Sequence, residues 1–201
     1  FGYFTKQALS SQAGLDRGKP PAKWHEAHPT APLVRLPGNR AVTSHSGSTL
    51  ALPSRQLAFL DDVLIDVQGG NHGQGYVYAT NKVDPRDWYF ACHFYQDPVM
   101  PGSLGLETIM QAIQAYALQA GLGQGLRAPR FGLAENQTMV WKYRGQVLSD
   151  SPYVAVEVHI TQIERSGDDV IIHADASLWK DALRIYEFKH VGVRITSTLD
   201  R

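Results

Sequence analysis

The chain has 201 residues, 43% hydrophobic and 19% charged, with a formal net charge of zero. That suffices for a buried core in one domain, or in one domain with an extension. Neutrality offers no basic surface to nucleic acid or an anionic membrane, one cysteine excludes an internal disulfide, and no apolar run approaches the roughly 20 residues of a membrane helix.

Residues 1–51 are unlike the rest. Lys19-Pro20-Pro21-Ala22-Lys23, His28-Pro29-Thr30-Ala31-Pro32 and Ser44-His45-Ser46-Gly47-Ser48 are rich in proline and serine and carry little periodicity. This stretch is expected to be an extended arm or linker, with Phe1, Tyr3, Phe4, Trp24 and Leu33-Val34 as points where it could dock. The compact domain is expected over residues 52–201. Gln56 to Val67 fits a short helix or a strand. Gly75 to Val83, behind the turn Asn71-His72-Gly73, predicts a strand. Trp88 to Phe94 is aromatic-rich and is expected to lead, as a strand, into the segment that follows. Ser103 to Ala120 predicts a helix with almost no polar face, hence a buried one. Gly121-Leu122-Gly123-Gln124-Gly125 ends it.

Beyond the helix the period changes to two. Val154, Val156, Val158 and Ile160 alternate with Glu157, His159 and Thr161. Val170, Ile172, Ala174, Ala176 and Leu178 repeat the pattern, and Arg184 to Ile195 makes a third run. Such alternation predicts antiparallel strands with one buried face. Ser166-Gly167-Asp168-Asp169 and Lys180-Asp181 fit hairpin connections. The layout is α+β: a long antiparallel sheet wrapped around one central helix.

The chemistry concentrates between Cys92 and Glu107. His93 titrates near neutrality and can give or take a proton at cellular pH. Glu107 is the only charged residue from Pro101 to Ala120, on a helix with no polar face for it to join. Burial disfavours the ionised form of a carboxyl, which suits a proton donor. Gln111, one turn on, could hydrogen-bond that carboxyl and hold its rotamer, or could be an ordinary surface glutamine. Gly102 stands at the helix start, where free N–H groups and the positive dipole end could polarise a carbonyl. Cys92 reads as a small core residue rather than a nucleophile, pointing away from His93 if both lie on a strand. The other histidines show no metal-ligand spacing, and no phosphate-binding loop or GxSxG elbow is present. No metal ligand is therefore assigned.

His93-Phe94-x-x-Asp97-Pro98-Val99-Met100-Pro101-Gly102-x-Leu104-Gly105-Leu106-Glu107 closely resembles the active-site segment of the FabA-type β-hydroxyacyl-[acyl-carrier-protein] dehydratases, hotdog-fold enzymes of fatty-acid synthesis. Asn71-His72-Gly73-Gln74-Gly75-Tyr76, Tyr143-Arg144-Gly145-Gln146-Val147-Leu148 and the stretch from Ala174 to Val193 resemble further family segments in the same order, over roughly Leu52 to Thr196. The resemblance implies His93 as catalytic histidine, Glu107 as catalytic carboxylate, Gly102 as the amide that polarises the thioester carbonyl, and Val99 as the carbonyl that orients the histidine. It also implies a homodimer, or a second hotdog unit, with His93 of one unit facing Glu107 of the other. The substrate arrives on an acyl carrier protein's phosphopantetheine, no further cofactor is needed, and the compartment is the cytoplasm.

Two positions depart from the pattern. Ser103 stands where the family often has Cys. Glu107 is Asp in FabA-type enzymes and Glu in the related FabZ-type, so dehydration with or without 2-trans to 3-cis isomerisation stays open. Residues 1–51 match poorly, and the chain begins without Met. It reads as a dehydratase domain of a polyunsaturated-fatty-acid or polyketide synthase. Two other readings stand beside it: a hotdog acyl-thioesterase, and a non-catalytic hotdog that binds acyl chains or scaffolds a synthase.

Overall fold

The computed structural model describes residues 14–16, 19–40 and 50–197; Phe1, Tyr3, Phe4 and Ser44 to Ser48 lie outside them. In chain order the elements are a short helix α1 (Trp24–Ala27), strands β1 (Val34–Pro37), β2 (Asp62–Asp66) and β3 (Tyr76–Lys82), helix α2 (Gly102–Gln119), and strands β4 (Pro129–Leu133), β5 (Val140–Tyr143), β6 (Tyr153–Ser166), β7 (Asp169–Lys180) and β8 (Leu183–Ser197). The strands form one antiparallel sheet in the order β1-β2-β3-β6-β7-β8-β4, with β5 also paired to β8. β8 is 15 residues long. It holds β5 along Tyr186–Lys189 and β4 along Val193–Ser197.

The sheet curls around α2, as expected of a hotdog. Ile109, Ala112, Ile113 and Ala117 of the helix are fully buried, and so are Val154, Val156, Val158 and Ile160 of β6 and Ile172 and Ala174 of β7. Each such valine or isoleucine removed from water contributes roughly 1.5–3 kcal/mol. Pro101, in extended backbone, precedes the first helical residue. At the other end Gly121 adopts φ 66°. Its N–H bonds the Leu118 carbonyl, and the Leu122 N–H reaches back to the Ala117 carbonyl. This is a Schellman stop, which needs the left-handed residue that glycine supplies.

Two regions differ from the sequence-based expectation. Trp88 to Phe94 is not a strand: Trp88–Ala91 is a 3-10 turn. The Asp84 carboxylate accepts from the Arg86 N–H, and the Asp87 carboxylate from the Asp84 N–H and the Tyr89 hydroxyl. These local bonds wind the chain where an extended strand would leave the same groups unpaired.

The second difference is that the sheet is covered on both faces. Period two in β6 predicts an exposed row, yet Glu157 and His159 are 6% and 9% exposed. His159 is covered by the Gly70–Asn71 turn and the Tyr76 ring, and Glu157 by the segment ahead of Leu52. Trp24 donates its N–H to Glu157 Oε1 at 2.6 Å, and the Tyr76 hydroxyl donates to the same oxygen at 3.0 Å. His25 Nδ1 lies 2.8 Å from the Tyr76 oxygen. Asp16 pairs with Arg184, and the Leu15 N–H bonds the Arg184 carbonyl. The same segment supplies β1, so the sheet begins ahead of the composition change at residue 52. Among the described residues no helix is long and apolar enough to cross a membrane.

His159 gives this outer layer a pH dependence. Its Nδ1 accepts the Asn71 N–H at 3.2 Å, which places the ring proton on Nε2. Burial, with the His72 charge second, holds its pKa down from 6.5 to about 4. Between those values the unfolded chain takes up a proton that the folded chain refuses. The His159 contribution to stability is therefore expected to fall by about 3 kcal/mol at most as pH drops from 6.5 towards 4, and to change no further below that. Urea unfolding across that window should show the slope, and His159→Gln should flatten it.

Candidate active site

The loop between the 3-10 turn and α2 is closed by its own backbone. Phe94 and Asp97 exchange N–H···O=C bonds at 2.9 and 3.2 Å, and the Val99 N–H donates to the His93 carbonyl at 2.8 Å. The His93 ring folds back so that Nδ1 lies 3.0 Å from the Val99 carbonyl oxygen. A carbonyl only accepts, so Nδ1 carries a proton and, in the neutral ring, Nε2 presents the lone pair. The loop is braced from outside. Met100 donates its N–H to the Val147 carbonyl at 2.9 Å, and Val99 forms a β-bridge with Leu148. The segment Gly145 to Leu148 thus clamps the histidine's support.

Glu107 lies on the second turn of α2 and is half-buried in the single chain. Its Oε1 accepts from Gln111 Nε2 at 2.7 Å. Gln111 is no surface residue: it is completely buried and every polar atom is used. Nε2 also donates to the Leu57 carbonyl at 2.8 Å, while Oε1 accepts from the Phe59 N–H at 3.0 Å and from Asn39 Nδ2 at 2.9 Å. Asn39 in turn donates to the Pro53 carbonyl and accepts the Leu60 N–H. The Glu107 carboxylate is therefore held by a chain of amides running to the segment after β1 and to the approach of β2.

Gly102 is the first residue of α2, where the helix leaves N–H groups without intrahelical acceptors. An aromatic wall closes on it. A Cβ added at Gly102 would stand 3.1 Å from Trp141 Cη2 and 3.1 Å from Tyr143 Cε2; one at Gly105 would stand only 2.4 Å from Tyr186 Cε2. The wall is made by two cross-strand pairs. Trp141 of β5 stacks on Phe188 of β8 at 5.1 Å and 22°, and Tyr143 lies 4.8 Å from Tyr186. Glycine at both positions lets the helix start approach these rings.

The structure thus assembles His93, Val99 and Gly102 on one continuous stretch, and Glu107 with Gln111 on the helix. It does not join the two groups: among the described residues no hydrogen bond or ion pair links His93 to Glu107. Cys92 is exposed rather than in the core, with Sγ 3.5 Å from the Tyr89 carbonyl. The opposite-face argument fails for it because the segment is a turn. Asn39 and Trp141 are the site neighbours that sequence reading missed. Asn39 sits in the proline-rich stretch read as a linker, and Trp141 in a short run without alternation. A tryptophan two residues ahead of Tyr143-Arg144-Gly145 was the available signal, since i and i+2 share a strand face.

Residues 52–189 match the family model of the FabA-like domain. The chain is 37% identical, over 209 aligned positions and 98% of its length, to a polyunsaturated fatty acid synthase subunit of Thraustochytrium sp., and it spans 14% of that protein's length. Among solved structures it is similar to the dehydratase heterocomplex ApeI:P of Xenorhabdus doucetiae, with TM-score 0.47, 12% identity, and coverage of 82% of this chain and 93% of that one. It is also similar to the PaaI protein of E. coli, with TM-score 0.38, 10% identity, and coverage of 62% and 73%.

Replacing Gln111 by Leu keeps the helix apolar but removes the acceptor of the buried Phe59 N–H, one acceptor of the Asn39 amide and a donor to the Leu57 carbonyl. Each buried polar group left unpaired costs roughly 1–3 kcal/mol. Gln111→Leu is expected to lower stability by about 3 kcal/mol or more, read as a shift of the urea midpoint without a change of slope.

Proposed function

The chain belongs to the FabA-like domain family, and we propose that it dehydrates 3-hydroxyacyl thioesters to trans-2-enoyl thioesters on an acyl carrier protein, as a module of a larger lipid or polyketide synthase. The observation that carries this reading is the His93 Nδ1···Val99 carbonyl contact at 3.0 Å. It fixes a proton on Nδ1, so that Nε2 is the nitrogen that takes up a proton when the ring is neutral, beside a helix start able to receive an oxyanion.

The steps follow from these groups. The Gly102 N–H polarises the thioester carbonyl and makes the C2 hydrogen more acidic. His93 Nε2 takes that proton as general base. The C2–H electron pair becomes the C2=C3 bond, the C3–O bond breaks, and the hydroxyl leaves as water with a proton from Glu107. The imidazolium and carboxylate then re-equilibrate with solvent. No metal or redox group enters the balance.

The acid comes from a second hotdog unit. Within one chain His93 and Glu107 have separate partners. β4 ends the sheet, and its Leu133 is 66% exposed. Pairing a second unit along that edge would continue the sheet and bring the two half-sites together. The similarity to a synthase subunit supports such an assembly, either as a homodimer or as two units of one polypeptide.

A 3-hydroxyacyl thioester incubated with the protein should give the conjugated enoyl absorbance without release of free thiol; thiol and free acid would mark a hydrolase instead. His93→Ala is expected to lower turnover by roughly 10²–10⁴-fold with the unfolding transition nearly unchanged. Glu107→Gln keeps an acceptor for Gln111 Nε2 but has no proton to give. It should lose activity to a similar extent at full stability, read by product formation and thermal unfolding together.

A further inference from the structure

We propose that Trp141 is a specificity-determining residue that restricts the site to substrates unbranched at C2. This rests on the dehydratase reading above. Alternation along β5 sends Trp141 and Tyr143 to the helix side of the sheet, while Lys142 pairs with Glu187 on the other side at 2.5 Å. The indole is fixed from three directions: stacked on buried Phe188, and edge-on to Tyr143 at 5.7 Å and to Tyr186 at 5.5 Å. Yet Trp141 remains 37% exposed, so a rigid aromatic surface stays open beside the helix start.

The placement of that surface carries the inference. Trp141 Cη2 and Cζ2 stand 3.1 and 3.3 Å from where a Cβ on Gly102 would lie. The indole edge therefore closes the Cα side of the first helical residue so tightly that a methyl there would make it give by a few tenths of an ångström. On the dehydratase reading, a thioester oxygen held by the Gly102 N–H places the acyl carbons at this same helix start, beside the indole. A C2 methylene can pass that edge, whereas a methyl branch would have to displace a ring already packed on Phe188, Tyr143 and Tyr186. Its neighbour on the same strand face, Tyr143, is buttressed by buried Tyr186 and stands equally close to the Cα side of Gly102.

The test compares 3-hydroxyacyl and 2-methyl-3-hydroxyacyl pantetheine thioesters of equal chain length, in wild type, Trp141→Ala and Trp141→Phe. The wild type should favour the unbranched substrate by about 100-fold or more in kcat/KM. Trp141→Ala should narrow that ratio to within about 10-fold, chiefly by gaining on the branched substrate, and Trp141→Phe should fall between. A merely structural tryptophan would lower both rates together and leave the ratio unchanged, which would overturn the proposal, as would a wild type that accepts both substrates equally. Sedimentation and thermal unfolding of each variant show whether assembly and fold are kept. If Trp141→Ala does not fold, Trp141→Phe decides by the same ratio. No enoyl product from the unbranched substrate in wild type would instead remove the dehydratase reading itself, and this inference with it.

Discussion

A helix buried on nearly every side has nowhere to send a polar side chain except inward, and Gln111 is where that constraint is met. Its single amide binds the Leu57 carbonyl, the Phe59 N–H, Asn39 and Glu107. One side chain thereby ties the central helix to the approach of β2, to the segment after β1, and to the candidate acid. Remove the amide and three backbone or side-chain groups lose a partner inside a medium that strongly penalises unpaired dipoles. The carboxylate's position and the packing of the helix are consequently one problem, with one solution.

Backbone carbonyls and N–H groups set the other half of the site in the same way. The histidine is held by a carbonyl six residues on, and the loop that carries this carbonyl is held by the Val147–Leu148 backbone. Rigid positioning of this kind places reacting groups before substrate arrives, so less ordering is left for the reaction itself. The aromatic wall adds shape. Its rings are paired across strands, so their orientation comes from the sheet register rather than from side-chain flexibility.

How much of this is legible in the residues depends on range. The central helix is plain from Leu104, Leu106, Ile109 and Ile113, because its pattern is local. β6 and β7 are plain from their alternation. His93, Glu107 and Gly102 are legible as a set because they share one short segment with a family likeness. Gln111 can be seen as Glu107's neighbour at i+4 but not as a hub, since three of its partners lie 52 to 72 positions away in the chain. Trp88 to Phe94 misleads because aromatic content favours strands on average, while Asp84 and Asp87 bend this stretch by bonds that composition does not display. Burial of Glu157 is only half legible: Trp24 stands out as a docking point in the proline-rich arm, but its target lies 133 positions away and nothing local names it.

That covering segment has a practical consequence for anyone excising the domain. β1 occupies the hydrogen-bonding edge of β2, pairing Val34 to Pro37 with Ile65 to Asp62. A truncation placed where composition changes would strip this strand, leaving a row of open backbone donors and acceptors on β2 and an uncovered Glu157–Tyr76 face behind it. Bare sheet edges recruit other chains. The proline-rich stretch, for all its plain composition, serves as a guard against aggregation, and domain borders drawn in expression work belong upstream of it.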